Sequence, residues 1–386
     1  MEYSMTDKQQ IMAGFEDLVK PNTKAKLESR FIIPPFSVFD TRQGYWQNRK
    51  KQWLELGVKS EIGRDDNLTY TGKVADIHAY DGQSKTQKYA EEGRDPNLIF
   101  KAAEVTSENL NFYRNKTKSE KEDKKESFYN SVVAERGGGT SIFDPVLCEL
   151  CYKWFCPIGG TIIDPFSGGS VRGIVAHILG YKYYGIDLSE KQIQANIEQG
   201  KLITPDNPPN WINGNSKDLY KLLPENFLGD FVFSCPPYFD LEVYSDKMGD
   251  LSNMKWSDFK DDYSDIIYKS VQSLKQDRFA CFVISEIRDK NGFYRGFVPF
   301  TIQSFIRAGA QLYNQIILVN QVGSLPIRIN RQFGDYRKIG RVHQEILIFY
   351  RGNPDNIPKI FKHIDIDINE TSISTDNLGN GLIQNE

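Results

Sequence analysis

No apolar run in the chain approaches the ~20 residues needed to span a bilayer, so nothing in its 386 residues reads as a membrane-spanning helix. The polar start Met1-Glu2-Tyr3-Ser4 has no signal-peptide core. A cytoplasmic protein without a membrane partner is the expectation. Excess positive charge is also lacking: the net charge is −3, which excludes a polycation and requires any nucleic-acid footprint to be local. Cysteine is scarce, with five residues, an odd number; without a secretory context this favours reduced thiols over a disulfide framework. Cys148 and Cys151 form a C-x-x-C with no second pair and only Cys156 nearby. They fit one face of an apolar helix, and no metal site is expected. A phosphate-binding loop normally uses G-x-G-x-x-G or a Walker lysine, and the glycine loop described below has neither.

What the chain does have is 39% apolar residues, enough for one large core or one core with a smaller appendage. From Gly160 onward, short apolar runs alternate with amphipathic stretches, the pattern of βα units in a mostly parallel sheet. Strands are predicted over 161–164, 183–187, 210–213, 231–234, 279–285, 312–321 and 345–350, and helices over 144–155, 171–179, 190–199, 256–274 and 299–308. This describes an α/β, doubly wound sheet, whose ligands sit beyond the carboxyl ends of the strands. The first 135 residues differ in kind, and residues 115–126 form a mixed-charge run with no apolar face, read as solvated. Gly137-Gly138-Gly139 is a hinge or tight turn, and the end of the chain is polar. The resulting division is an N-terminal extension over 1–135, a sheet domain over 136–351 and a tail over 352–386.

Two loops carry candidate chemistry. In Asp164-Pro165-Phe166-Ser167-Gly168-Gly169-Ser170, a strand gives way to a helix, and the glycines let backbone approach a ligand. Asp187 ends the next strand, where a carboxylate can accept from both hydroxyls of a ribose; the alternative is a helix cap before Ser189-Glu190. The second loop is Ser234-Cys235-Pro236-Pro237-Tyr238. Its prolines stiffen the chain and remove two donors, leaving a carbonyl to hold an exocyclic amino group and an aromatic ring to stack its heterocycle. That suits N-methylation, in which acceptors on the amine hydrogens help a delocalised lone pair attack a methyl sulfonium. Pro-Pro-Tyr alone is an ordinary turn; its meaning here comes from the neighbouring glycine loop.

Together these loops resemble those of the S-adenosylmethionine-dependent DNA amino-methyltransferases, which modify adenine N6 or cytosine N4. The resemblance runs from about Gly139 to Tyr350, and strings such as FDPVLCEL and FSCPPYFDLEVYSD look like phage- or prophage-encoded members. It implies a Rossmann-like methyltransferase sheet with helices on both faces. It also implies S-adenosylmethionine as cofactor, held by Asp164, Pro165, Phe166, Ser167, Gly168 and Gly169, with Asp187 on the ribose and the Asn215/Ser216 turn near the adenine. Catalytic roles fall to Cys235, Pro236, Pro237 and Tyr238. The family usually has Asp, Asn or Ser where this chain has Cys235. Enzymes that methylate cytosine C5 carry their cysteine after the prolines, with a Glu-Asn-Val motif, and both features are missing; Cys235 is read as a serine-like positioner. RNA or protein-glutamine N-methylation, and a catalytically inactive DNA-binding module, are the alternatives. The resemblance places the chain in a bacterial or phage-infected cell, in DNA methylation or restriction-modification, with any cognate nuclease and the oligomeric state left open.

DNA is the expected partner, reached by flipping the target base over Tyr238. Residues 322–343, read as an inserted loop, hold Arg328, Arg331, Arg337, Lys338 and Arg341 against Asp335, a local excess of positive charge suited to a phosphate backbone. A second patch sets Arg42, Arg49, Lys50 and Lys51 among Tyr45, Trp46 and Trp53. Such interleaving suits phosphates and exposed bases, and equally suits packing of this segment onto the sheet. Asp240 and Glu242 suit contacts to the base edge, with hydrogen bonding inside their own loop the favoured alternative. His343 is read as structural.

Overall fold

The computed structural model describes residues 33, 35–58, 143–205, 208–239, 249–322 and 325–363. The charged run 115–126, the glycines 137–139, Asp240, Glu242 and the tail beyond 363 lie outside the described residues, as do the side chains of Arg328 and Arg331. The chain divides into two units, one of Val38–Asn356 and one of Met1–Ser37 with Ile357–Glu386.

The larger unit opens with β1 (Val38–Asp40) and α1 (Gly44–Glu55), then resumes with α2 (Pro145–Phe155). Asp144 caps α2 by accepting from the Val146 N–H at 3.0 Å, and Pro145 supplies the fixed φ of its first turn. There follow β2 (Thr161–Asp164), α3 (Val171–Ile178), β3 (Lys182–Asp187), α4 (Glu190–Ile203) and β4 (Asn210–Asn213). Ser189 caps α4 through the Gln192 N–H at 3.3 Å. A 3₁₀ turn over Ser216–Asp218 leads to the short α5 (Leu219–Leu222), and then come β5 (Gly229–Ser234), α6 (Trp256–Gln272) and β6 (Leu274–Ile284). The unit finishes with α7 (Phe297–Arg307), β7 (Gln311–Val319), α8 (Leu325–Tyr336) and β8 (His343–Arg351). In the smaller unit, the described residues form one short helix, α9 (Ile357–Ile360).

Among the described residues eight strands form one sheet in the order β1-β7-β8-β6-β5-β2-β3-β4. Every neighbour pairs in parallel except β8, which is antiparallel to β6 and β7. The mostly parallel, doubly wound α/β reading therefore holds. From β2 the chain steps outward to β3 and β4, then crosses back to place β5 on the other side of β2. This reversal opens a crevice between the loops that follow β2 and β5, where open α/β sheets bind ligands. Strand β5 is buried at all six residues, so its continuous apolar run Phe231-Val232-Phe233 marks a central strand covered on both faces.

The expected strands and helices from 144 onward are all present, with displaced ends. Strand β6 begins at Leu274 rather than 279 because its polar start is satisfied sideways: Lys275 and Arg278 both donate to Asp230 at 2.9 and 3.0 Å. Besides the one-turn helices α5 and α9, three elements were not anticipated. Residues 38–58, on the N-terminal side of the expected 135/136 boundary, add β1 to the sheet edge and α1 against α2. The basic segment read as a loop contains the helix α8. Among the described residues, no helix is long and apolar enough to cross a membrane.

Candidate active site

Asp164 ends β2 fully buried, and its carboxylate collects four donors. These are the Phe166 N–H at 3.2 Å, Ser234 Oγ at 2.6 Å, Tyr183 OH at 2.7 Å and Arg172 Nε at 2.5 Å. Arg172, in the first turn of α3, also donates to the carbonyls of Phe166 and Ser167, and its guanidinium lies 4.5 Å over the Phe143 ring. Burial opposes the Arg172 charge, but Asp164 outweighs it, and the guanidinium pKa ends above its ordinary value. A buried pair with this many hydrogen bonds offsets much of its desolvation cost. The loop thus winds around an internal ion pair. Asp164 is buried, and through these bonds it shapes the loop expected to hold the cofactor.

Phe166, Gly168 and Gly169 remain partly accessible, whereas Pro165 and Ser167 are buried. Gly168 has φ +49°, the left-handed region that glycine occupies without a Cβ penalty. Its carbonyl accepts from Asn196 Nδ2 at 2.7 Å, and its N–H donates to Asp187 Oδ2 at 2.9 Å. Asp187, half-buried at the end of β3, accepts from the Ser189 N–H at 2.8 Å through its other oxygen. Burial raises its pKa above the usual carboxylate value, against the lowering effect of the two backbone N–H groups. On the far side, Ser216 Oγ donates to the Pro165 carbonyl at 2.5 Å and Asn215 Oδ1 accepts from the Lys217 N–H at 2.9 Å, tying the turn after β4 to the glycine loop.

Across the crevice, β5 ends at Ser234, whose hydroxyl bond to Asp164 joins the two loops directly. Cys235, Pro237 and Tyr238 are partly exposed, and Pro236 is buried. Cys235 Sγ lies 3.5 Å from the Tyr238 hydroxyl, which also accepts from Gln344 Nε2 at 2.6 Å. Gln344 is held in turn by Asn320 Nδ2 at 3.2 Å. The loop closes at Phe239, a non-glycine residue with φ +51°. Such a conformation persists only where surroundings impose it, and here Trp256 and Phe259 pack edge-on against the Phe239 ring at 5.0 and 5.2 Å. Trp256, Phe259 and Tyr263 stack along α6 at 5.3 and 5.4 Å, and Tyr263 stacks on Phe166 at 6.2 Å. A row of rings therefore connects the proline loop to the glycine loop.

The basic residues separate into different environments. Arg49 donates through Nε and Nη2 to the fully buried Glu149 at 2.9 and 2.5 Å, joined there by Trp53 Nε1 and Lys153 Nζ. Trp46 and Trp53 are buried as well, and Lys50 pairs with Asp144 at 3.2 Å. Arg49 is thus an anchor of α1 on α2, its guanidinium committed to Glu149. Arg42 is exposed and forms a fork with Asp40 at 2.8 and 2.9 Å. Beyond β7, Arg337 is exposed and closes the end of α8 on the Phe333 carbonyl, while Arg341 pairs with Glu345 at 2.6 Å.

No family model matches the chain, and no curated protein matches it. Similar solved structures include TrmN from Thermus thermophilus, at 16% identity with 54% of this chain and 49% of that chain covered and a TM-score of 0.37. A methyltransferase from Pyrococcus furiosus is similar at 14% identity, with 60% and 100% covered and a TM-score of 0.35. Magnesium protoporphyrin IX methyltransferase from Synechocystis PCC 6803, solved with bound SAM, is similar at 11% identity, with 58% and 91% covered and a TM-score of 0.34. The match spans about half the length of TrmN.

Reading the sequence missed Arg172, Tyr183, Asn196, Gln344 and the ring row on α6. One signal was present: Trp256, Phe259 and Tyr263 recur at helical spacing, one aromatic face of an amphipathic helix. For Arg172 and Gln344 there was none, since each is an ordinary polar residue until its distant partner is known.

Proposed function

We propose that this chain is an S-adenosylmethionine-dependent methyltransferase acting on the exocyclic amino group of adenine (N6) or cytosine (N4) in DNA. The observation that carries the reading is the junction of the two loops at the switch point of the sheet, where Ser234, at the head of Cys235-Pro236-Pro237-Tyr238, bonds Asp164, at the head of the glycine loop.

The residues present fit the cofactor. Gly168 and Gly169 expose backbone without side-chain obstruction, and Asp187 uses one backbone N–H on each oxygen. Of the roughly four lone-pair sites of a carboxylate, half remain to accept from the two ribose hydroxyls. Asn215 and Ser216 border the same loop, and Phe166 offers a partly accessible ring. When bound, S-adenosylmethionine supplies an electrophilic methyl group. The chain itself then has to hold and orient the target base. Tyr238 provides a ring face for the base, kept in place by Gln344 and Phe297. Among the described residues none donates to the Pro236 carbonyl, and this oxygen with Cys235 Sγ forms the proposed pair of acceptors for the two amine hydrogens. Rate enhancement comes from orientation and preset acceptors, without a general base. The proton released from nitrogen passes to solvent.

The basic segment beyond β7, with Arg337 exposed, favours a nucleic acid over a protein amide as substrate. The test is methyl transfer from tritiated S-adenosylmethionine to DNA, RNA and protein in parallel, followed by mapping of N6-methyladenine and N4-methylcytosine in DNA from expressing cells. Label confined to RNA or protein would refute the DNA reading. Cofactor binding without transfer to any of them would mark a non-catalytic module.

A further inference from the structure

Between β6 and α7 the chain makes a tight hairpin that the methyl-transfer reading leaves without a role. Arg288 and Tyr294 pair across it as an antiparallel bridge. Asp289 N–H donates to the Phe293 carbonyl at 2.8 Å, and Gly292, with φ +92°, donates to the Asp289 carbonyl at 3.0 Å. The Asp289 carboxylate accepts from the Asn291 and Phe293 N–H groups, both at 2.9 Å. A short segment this fully bonded is rigid, yet Phe293 is 72% exposed at its end. Single exposed apolar side chains are ordinary on a protein surface; one held on a rigid loop is in addition able to insert into a partner.

Position narrows what that is. Phe282 of β6 pairs with Ser234 of β5, so the hairpin leaves the sheet at the edge that bears the proline loop. Its returning strand ends in Arg295, whose guanidinium lies over the Phe239 and Trp256 rings at 4.9 and 5.2 Å. Phe239 directly follows Tyr238, so the hairpin and the base-holding loop share one support. The charge on the hairpin points to a phosphate-bearing partner. Its acids are turned inward onto backbone N–H groups: Asp289 as above, and Glu286 on Phe297 and Val298 at 2.8 and 3.3 Å. Of its cations Arg295 turns inward as above, while Arg288 is exposed 4.0 Å over the Tyr294 ring with one nitrogen on the Gly292 carbonyl at 2.7 Å, and Lys290 is exposed; the half-buried Lys338 crosses from the end of α8 to lie against Gly292.

We infer that this hairpin is a wedge for duplex DNA, with Phe293 entering the base stack where the target nucleotide has swung out and Arg288, Lys290 and Lys338 straddling the phosphates. The inference rests on the DNA-methylation reading and extends it to double-stranded substrate. Apolar wedges that fill or open a stack offset the loss of stacking when a base leaves the helix. A single strand already presents its bases and gains little from one.

Native genomic DNA from a non-expressing host and the same DNA after heat denaturation serve as substrates for the full chain with tritiated S-adenosylmethionine. Phe293→Ala should lose about tenfold or more of its activity on native DNA and stay within about twofold of wild type on denatured DNA, the scale set by one lost aromatic stack. Phe293→Trp should restore the native-DNA activity, and its added indole emission should be quenched by duplex DNA without cofactor. Equal activity of Phe293→Ala and wild type on native DNA, an equal loss on both substrates, or an unquenched indole overturns the wedge while leaving the methyltransferase reading intact. A wild type that labels neither DNA refutes that reading, and the wedge falls with it.

Discussion

Asp164 and Asp187 show how two acids at neighbouring strand ends come to different uses. Asp164 is sealed in the core with four donors, whereas Asp187 keeps acceptor capacity at a partly open surface. Asp187→Ala should therefore weaken S-adenosylmethionine binding by about tenfold to a hundredfold, the value of charge-assisted hydrogen bonds. Isothermal titration would detect this, and unchanged affinity would remove Asp187 from the ribose site. Cys235 poses the chemical question. Its sulfur sits 3.5 Å from the Tyr238 hydroxyl, where a serine oxygen could also accept. Cys235→Ser should retain most methyl transfer if the side chain only positions the amine. Complete loss, with a covalent protein–DNA adduct in wild type, would instead reveal attack on a ring carbon. Both residues were legible in the sequence because each belongs to a contiguous string with its own chemistry. Arg172 and Gln344 were not, because their roles exist only across 8 and 106 residues of chain.

At the scale of elements, α1 and α8 depart most from expectation, and for opposite reasons. The basic and aromatic residues of α1 suit either nucleic acid or packing, and its tryptophans pack: Trp46 and Trp53 are buried, and their N–H groups reach Asp144 and Glu149. The aromatics are packing residues with satisfied polar ends. Arg49→Ala should destabilise the protein by roughly 3 kcal/mol in urea unfolding, the low end of the cost of leaving a buried charge short of its partner. The salt dependence of DNA binding should stay as in wild type; a reduced slope would return Arg49 to the interface. In α8 the cations masked a helix whose apolar positions Leu325, Ile329 and Phe333 recur every four residues, a spacing dispersed among polar residues. Its placement between β7 and β8 brings Lys338 to the hairpin after β6, a meeting of two insertions that neither sequence announces.

Over the whole molecule, buried carboxylates set the response to acid. Burial opposes the Glu149 charge, but Arg49 and Lys153 overcome it, and the pKa falls below its ordinary 4.5. Asp230 behaves alike: burial opposes its charge, and Lys275 and Arg278 bring its pKa below 3.8. Stability from both is complete above those ordinary values and is lost as pH falls through the lower, folded ones. Asp187 has the opposite sign, its contribution being present in acid and lost as pH rises through its raised pKa. The urea midpoint should thus fall as acid is added below about pH 5, and Glu149→Gln should flatten that descent; an unchanged profile would exclude Glu149 as a source. By itself the sequence determined the α/β alternation, the order of its main elements and the positions of the two loops, because periodicity and turn residues act over a few neighbours. Only the tertiary structure decided that Ser234 meets Asp164, that Gln344 steadies Tyr238 and that Arg49 serves Glu149, across 70, 106 and 100 residues. Such partners are chosen by the crossover of β5 past β2 and the packing of α1 on α2, and burial then makes each polar group take whatever partner lies within reach.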